Sequence, residues 1–200
     1  MMSTKNSFLF LLIVFSFIIP SVSAIRPHYI YDDANVVSPE YEGYINTYGE
    51  QLDKATTAEV VIITITNLPS GKTVDETKLY YLNEAILDGV KGVGKAEKDN
   101  GVVILLVMGS HDWAIETGYG VEGQLTDATC GVIGRDVMTP QFQKGDFGAG
   151  LYYGMKSIGV KLGFDASITM AITTGVTSDS HVYPQDTDPL FKTFSDALFI

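Results

Sequence analysis

Two uninterrupted apolar runs constrain this chain more than any other feature. Glu59 to Thr66 reads EVVIITIT, and Gly101 to Met108 reads GVVILLVM. Both are rich in β-branched side chains, which are stiff at χ1 and pack well on a pleated surface, so both read as strands. Successive strand residues point to opposite faces, so a strand apolar at every position must be covered on both sides. Between the runs, Leu68-Pro69-Ser70-Gly71 breaks the first strand, and Thr73 with Glu76 has the spacing of a capping box. That box predicts a helix over roughly Val74 to Leu87, ended by Gly89. Strand, crossover helix and strand form a parallel pair, so the chain belongs to the α/β class.

The flanking segments extend this unit. Ile25 to Tyr31 reads as a short extended lead. Ser38-Pro39-Glu40 starts a helix, with Ser38 as cap and Pro39 in the first turn. Tyr41, Tyr44, Ile45, Tyr48 and Leu52 then recur at three- and four-residue steps, giving one apolar stripe. After the second apolar run, Gly109 to Asp112 form a tight turn and Trp113 to Thr117 a third strand, antiparallel to the second. A Gly-rich loop follows from Gly118 to Gly123. Thr126 or Asp127 caps a helix that stops near Pro140. Asp146 caps another that reaches about Gly163, with Phe147, Leu151, Met155, Ile158 and Leu162 on one face. Gly150 and Gly154 on that helix suit close packing inside the domain better than a membrane motif, because the segment is not continuously apolar.

Both ends differ from this middle. Lys5, the apolar run Phe8 to Pro20 and the small residues Val22-Ser23-Ala24 make the three-part pattern of a secretory signal peptide. Cleavage after Ala24 would leave 176 of the 200 residues; retention would leave an N-terminal anchor. The expected organisation is a signal peptide over 1–24, an α/β domain over 25–164, and a linker with a short tail over 165–200. In that tail, Thr177 to Pro189 is polar, and Leu190 to Ile200 has the spacing of a short amphipathic helix. No stretch after the domain is long enough to cross a membrane, which takes about 20 apolar residues. The expected location is extracytoplasmic: secreted, periplasmic or lumenal.

Charge and composition narrow the chemistry. With 13 Lys+Arg against 24 Asp+Glu the net charge is −11. Nucleic-acid binding needs clustered Lys and Arg, so that class is set aside. The single cysteine, Cys130, excludes an intrachain disulfide and a multi-cysteine zinc site, and it reads as packed in mid-helix. His28, His111 and His181 are too scattered for a histidine metal centre, and His111 reads as a solvated turn residue. Gly118-Tyr119-Gly120-Val121-Glu122-Gly123 matches G-x-G-x-x-G, but no strand follows the next helix to carry the acidic residue that holds a ribose. No nucleotide cofactor is expected. The glycines read as a loop needing positive φ and close backbone approach.

Four stretches carry a resemblance. They are Asp32-Asp33-Ala34-Asn35-Val36-Val37-Ser38, Lys98-Asp99-Asn100-Gly101-Val102-Val103-Ile104-Leu105, and Ile115 to Gly123 followed by Leu125-Thr126-Asp127-Ala128. The fourth is Pro140-Gln141-Phe142 with Gly145-Asp146-Phe147. In order and spacing they resemble the TPM domain family, named for a thylakoid lumen protein, a photosystem II repair protein and a nematode receptor accessory subunit. Val37 stands where that family usually has Leu. The resemblance covers about Tyr31 to Gly163. It implies an α/β/α sandwich, with a small mixed sheet between helices, on the outer side of a membrane. Some members are described as weak acid phosphatases, some bind calcium, and one accompanies a receptor. Many bacterial members carry a C-terminal transmembrane helix and Gly-rich tail, to which nothing here corresponds.

The resemblance also singles out carboxylates. Asp32, Asp99 and Asp127 are acidic family positions beside loops, and Glu122 lies in the Gly loop. Converging carboxylates and carbonyls suit a divalent cation, Ca²⁺ first, which takes 6–8 oxygen ligands. Each Asp alone also reads as a cap or turn residue. For hydrolysis there is no G-x-S-x-G elbow. A phosphatase would rely on metal-held water or on Asp99 or Asp127, with Lys98 and Arg135 as phosphate contacts. Two functions are therefore expected as alternatives: a binding, assembly or maintenance module for a membrane-associated protein, or a metal-assisted phosphomonoesterase.

Overall fold

The computed structural model describes residues 26–164. The expected signal peptide over 1–24 and the expected linker and tail over 165–200 lie outside the described residues. Seven-residue strands form where the apolar runs predict them: β2 (Glu59–Ile65) and β5 (Gly101–Val107), paired in parallel and buried at every position. β6 (Asp112–Thr117) runs antiparallel to β5. The expected extended lead contributes a short parallel edge strand, β1 (Ile30–Asp32), on the other side of β2. The sheet order is β1-β2-β5-β6.

The helices follow their caps. The α1 helix (Pro39–Thr56) starts at Ser38, whose hydroxyl accepts from the Tyr41 N–H. The α2 helix (Val74–Asn83) has both halves of the Thr73–Glu76 capping box. It ends earlier than the periodicity predicts. Residues assigned to its last turn instead make a small antiparallel hairpin, β3 (Ile86–Leu87) and β4 (Val90–Lys91). The turn between them is Asp88-Gly89, with φ of 51° and 77°. Two central residues at positive φ make the primed turn whose twist matches a hairpin.

A second correction concerns Pro140. The α3 helix (Asp127–Val132) does not stop there. It widens into a π-helical stretch (Ile133–Met138) and continues as α4 (Thr139–Phe142), with Pro140 in its first turn. Proline lacks an N–H and crowds the carbonyl one turn back, and the wider turn just ahead of it accommodates both. Asp146 then caps α5 (Phe147–Lys161), accepting from the Ala149 N–H at 2.9 Å.

Two contacts of β6 define the layers. Trp113 packs on Gly134 of the π stretch, and Glu116 pairs with Lys78 of α2 at 2.9 Å. Residues three apart on a strand point to opposite faces, so these helical segments cover opposite sides of the sheet. The α5 helix packs on the π stretch through Gly150 and Gly154, which lie against Phe142 and Met138, and on α1 through Gly148 against Tyr41 and Gly159 against Tyr48. Tyr41, Tyr44 and Tyr48 stack around Tyr152 with ring centroids about 6 Å apart. The expected α/β/α sandwich is what forms.

A buried ionic group locks the amino end of the sheet. Arg26 is 2% exposed and Glu59 3%. The Arg26 guanidinium donates to the Leu87 carbonyl (3.0 Å), the Gly92 carbonyl (2.6 Å) and the Glu59 carboxylate (3.4 Å). Lys95 donates to Glu59 (2.6 Å) and Asp53 (3.0 Å), the Gly94 N–H donates to Glu59 (2.8 Å), and the Tyr29 hydroxyl donates to Asp53 (2.9 Å). Two cations thus face two carboxylates. Burial alone would raise the Glu59 pKa, but the bonds from Lys95 and Gly94 and the charge of Arg26 outweigh it and hold the carboxyl below its usual range. This group ties the N-terminal lead, α1, β2 and the β3–β4 hairpin together.

Candidate functional site

The family-like stretches meet in pairs, at opposite ends of the sheet. At the carboxyl end of the parallel strands, the half-buried Asp32 accepts from the Val36 N–H (3.2 Å), the Val37 N–H (2.8 Å) and the Thr64 hydroxyl. The carboxylate therefore shapes the loop that leads into α1. Val36 and Ser38 of that loop line an open depression of about 290 Å³ together with Gly145, Asp146 and Phe147 of the fourth stretch. Tyr41, Lys144 and Gly148 complete the rim.

The second and third stretches meet at the amino end. Asp99 has φ of 48° just before β5. Its carboxylate accepts from the Tyr119 N–H (3.2 Å), and its carbonyl from the Gly120 N–H (2.8 Å). The Gly118–Gly123 loop thus folds over the Lys98–Asp99 turn. A Cβ on Gly118 would overlap the Asp99 carbonyl, and one on Gly120 the Lys98 carbonyl. Close approach is the reason for these two glycines. Positive φ is not, since neither has it. Alanine at Gly120 is expected to lower Tm by about 5 °C, from the 1–3 kcal/mol that overpacking costs. Alanine at Gly123, which has open space around it, should leave Tm unchanged. Thermal unfolding of the two variants checks the contrast.

Strand register separates the predicted carboxylates. Asp32 lies opposite Thr64, and Thr64 opposite Leu106. Gly101, the first residue of β5, is five residues upstream, about 16 Å at 3.3 Å per residue. Asp99 precedes even that. One cation site shared by Asp32, Asp99, Glu122 and Asp127 is therefore corrected: Asp32 stands at the other end, with its oxygens committed to the loop before α1. Glu122 and Asp127 are exposed and follow β6 at the same end as Asp99. Thr126, not Asp127, caps α3, accepting from the Thr129 N–H at 3.3 Å. Among the described residues, no three His, Cys, Asp or Glu side chains are grouped to hold a metal ion.

The other candidates fall into ordinary roles. Lys98 donates to the Thr57 hydroxyl (2.9 Å), and Arg135 pairs with its neighbour Asp136 (3.1 Å). Burial, with the Asp127 charge adding, pushes the Cys130 thiol up to about 11, so it stays protonated and unreactive. His111 is an exposed turn residue with φ of 56°. Sequence reasoning passed over Arg26, Asp53 and Lys95. The available signal was Glu59, a charge opening a strand that is otherwise apolar, which requires a buried partner.

Fold and motifs together define a three-layer α/β/α domain with its recurring stretches paired at the two sheet ends. The model for the TPM domain, designated a TPM phosphatase, matches residues 30–161, and the chain belongs to that family. Solved structures share the fold. The N-terminal domain of a protein from P. gingivalis is 22% identical, with a TM-score of 0.56 over 70% of this chain and 84% of that one. The N-terminal domain of a Corynebacterium glutamicum protein is 11% identical, with a TM-score of 0.50 over 79% and 90%. A search of curated protein sequences finds no significant match. No helix among the described residues is long and apolar enough to cross a membrane.

Proposed function

We propose that this TPM domain is an exported binding module for a membrane-associated protein. The carrying observation is an adjacent apolar pair on α2, Leu79 and Tyr80, which are 44% and 53% exposed. The helix buries Thr77 and Leu82 against the domain and turns this pair outward. Tyrosine gives an interface a large rigid surface with a polar tip, and a paired leucine adds apolar area beside it. The export pattern at the N-terminus supports an extracytoplasmic setting.

Capture from solubilised membranes of the source cell tests the reading. The tagged protein should retain a partner that a Leu79→Asp/Tyr80→Asp variant loses at least tenfold, both proteins having the same Tm. Equal capture by the two, or none by either, overturns it. The family model's phosphatase designation supports a second reading. Turnover of a generic phosphate ester that disappears with Asp99→Asn would favour that one.

A further inference from the structure

The two edges of the sheet are built differently. At one edge, β1 is three residues long. At the other, β6 runs six residues in unbroken register with β5 and contains no proline, glycine or lysine. Soluble proteins blunt an exposed edge with a bulge, a proline, an outward lysine or a very short strand, because its free backbone groups template another strand. β6 carries none of these devices. Register tells which of its groups are free. The Met108 N–H donates to the Ile65 carbonyl of β2 and the Gly118 N–H to the Gly101 carbonyl, both at 2.9 Å. Bonding direction alternates along β5, so Gly101, Val103, Leu105 and Val107 face β6. They stand opposite Gly118, Glu116, Ala114 and Asp112. Trp113, Ile115 and Thr117 therefore turn their N–H and C=O groups off the edge. No other backbone group among the described residues bonds to them.

We infer that β6 pairs antiparallel with β6 of a second copy of this chain, about a twofold axis at Ile115. Three features of the strand select a second copy as the occupant. The free residues are symmetric about Ile115, so this register uses all of them: Ile115 meets Ile115, and Trp113 meets Thr117 of the second copy. Each such pair exchanges two backbone hydrogen bonds. Charge is also self-complementary. Glu116 falls opposite Ala114 and Asp112 opposite Gly118, so no like charges oppose one another. Glu116 already carries Lys78 at 2.9 Å. Finally, the face that holds Trp113, Ile115 and Thr117 gains aromatic and β-branched cross-strand pairs, which favour sheet pairing. The two four-stranded sheets join into one. The axis is perpendicular to the sheet, so both copies of α2 come to the same side of it. Pairing along one short strand buries little area, so the association is weak, with a dissociation constant in the micromolar range.

The test uses the full chain in a detergent whose density matches the solvent. Sedimentation equilibrium reads mass, and deuterium exchange followed by nuclear magnetic resonance reads single amides. In dilute protein the Trp113, Ile115 and Thr117 amides should exchange fast, while those of Ala114 and Glu116, bonded to β5, exchange slowly. At about a hundredfold above the dissociation constant the mass should double, and exchange at the three outward amides should slow about tenfold. Association should tighten as salt screens the net charge of −11 on each copy; loosening by salt would overturn the pairing. Thr117→Pro deletes an outward N–H that a single copy does not use, at a position where an edge strand accepts proline. This variant should keep its Tm and stay monomeric; a folded variant that still dimerises overturns the pairing. If it does not fold, the exchange pattern of the unaltered chain decides. A single-copy mass at every concentration overturns the inference, as does a dimer whose three amides stay fast. Slow exchange of the three in dilute protein also overturns it, since the edge would then be covered within one copy. The partner-binding role is read separately, by capture.

Discussion

Glu59→Ala is expected to lower the unfolding free energy by about 3–5 kcal/mol, because it removes from the interior the carboxylate that Arg26 and Lys95 share. For a domain of this size that is about 10 °C in Tm. Glu59→Gln should cost less, since its one amide oxygen can still take the Oε2 place and accept from Arg26 and the Gly94 N–H, though not from Lys95 as well. The pH dependence follows from the sign of the shift. The folded carboxyl titrates below its usual 4.5, so its stabilisation is fully present above that pH. The contribution is lost as pH falls through the folded value. Wild type and Glu59→Gln should therefore differ at pH 7, and the gap should narrow as pH falls below 4.5. Thermal unfolding across that range decides it; a constant gap would mean that Glu59 acts through shape and not through charge.

Gly101→Ala should be comparably severe, at about 3 kcal/mol or more. A Cβ at Gly101 would overlap the Val93 carbonyl. The neighbouring backbone has nowhere to go. The Val93 N–H is bonded to the Leu82 carbonyl (2.8 Å), the Gly92 carbonyl to Arg26 (2.6 Å), and the Gly94 N–H to Glu59 (2.8 Å). Gly94 itself sits at φ of 99°, against Gly101. The urea midpoint should fall with little change in the slope of free energy against urea. A loss under 1 kcal/mol would show that the 92–94 segment yields more easily than its hydrogen bonds imply.

What was legible in the sequence was whatever depends on short-range chemistry. Ser38-Pro39, the Thr73–Glu76 box and Asp146 named their helix starts because caps act within one turn. The two apolar runs named the central strands because nothing but full burial suits them. The misses have physical reasons too. β1 is three residues long and owes its existence to its neighbour β2, so no periodicity marks it. Pro140 reads as a stop because proline breaks helices as a rule, and local pattern does not say that a wider turn ahead of it will carry the helix through. Asp88-Gly89 was legible, since that dipeptide favours a primed turn, but a long helix reading swallowed it. The carboxylates failed as a group for one reason: proximity to a loop says nothing about which end of the sheet the loop serves. Only register separates Asp32 from Asp99.

The ionic group at the amino end has a consequence for the medium around the protein. Mobile ions screen exposed charges over about 10 Å at 0.1 M, but they do not enter a packed interior. Half-exposed pairs such as Lys54–Glu50 and Lys72–Glu76 weaken as salt rises. Arg26, Lys95, Asp53 and Glu59 sum to zero charge and sit where counterions cannot follow. The acidic exterior, by contrast, repels itself most strongly in dilute solution. In a chain of net charge −11 built this way, the ionic link at the amino end of the sheet is expected to depend little on salt, and added salt should act mainly on the outer shell.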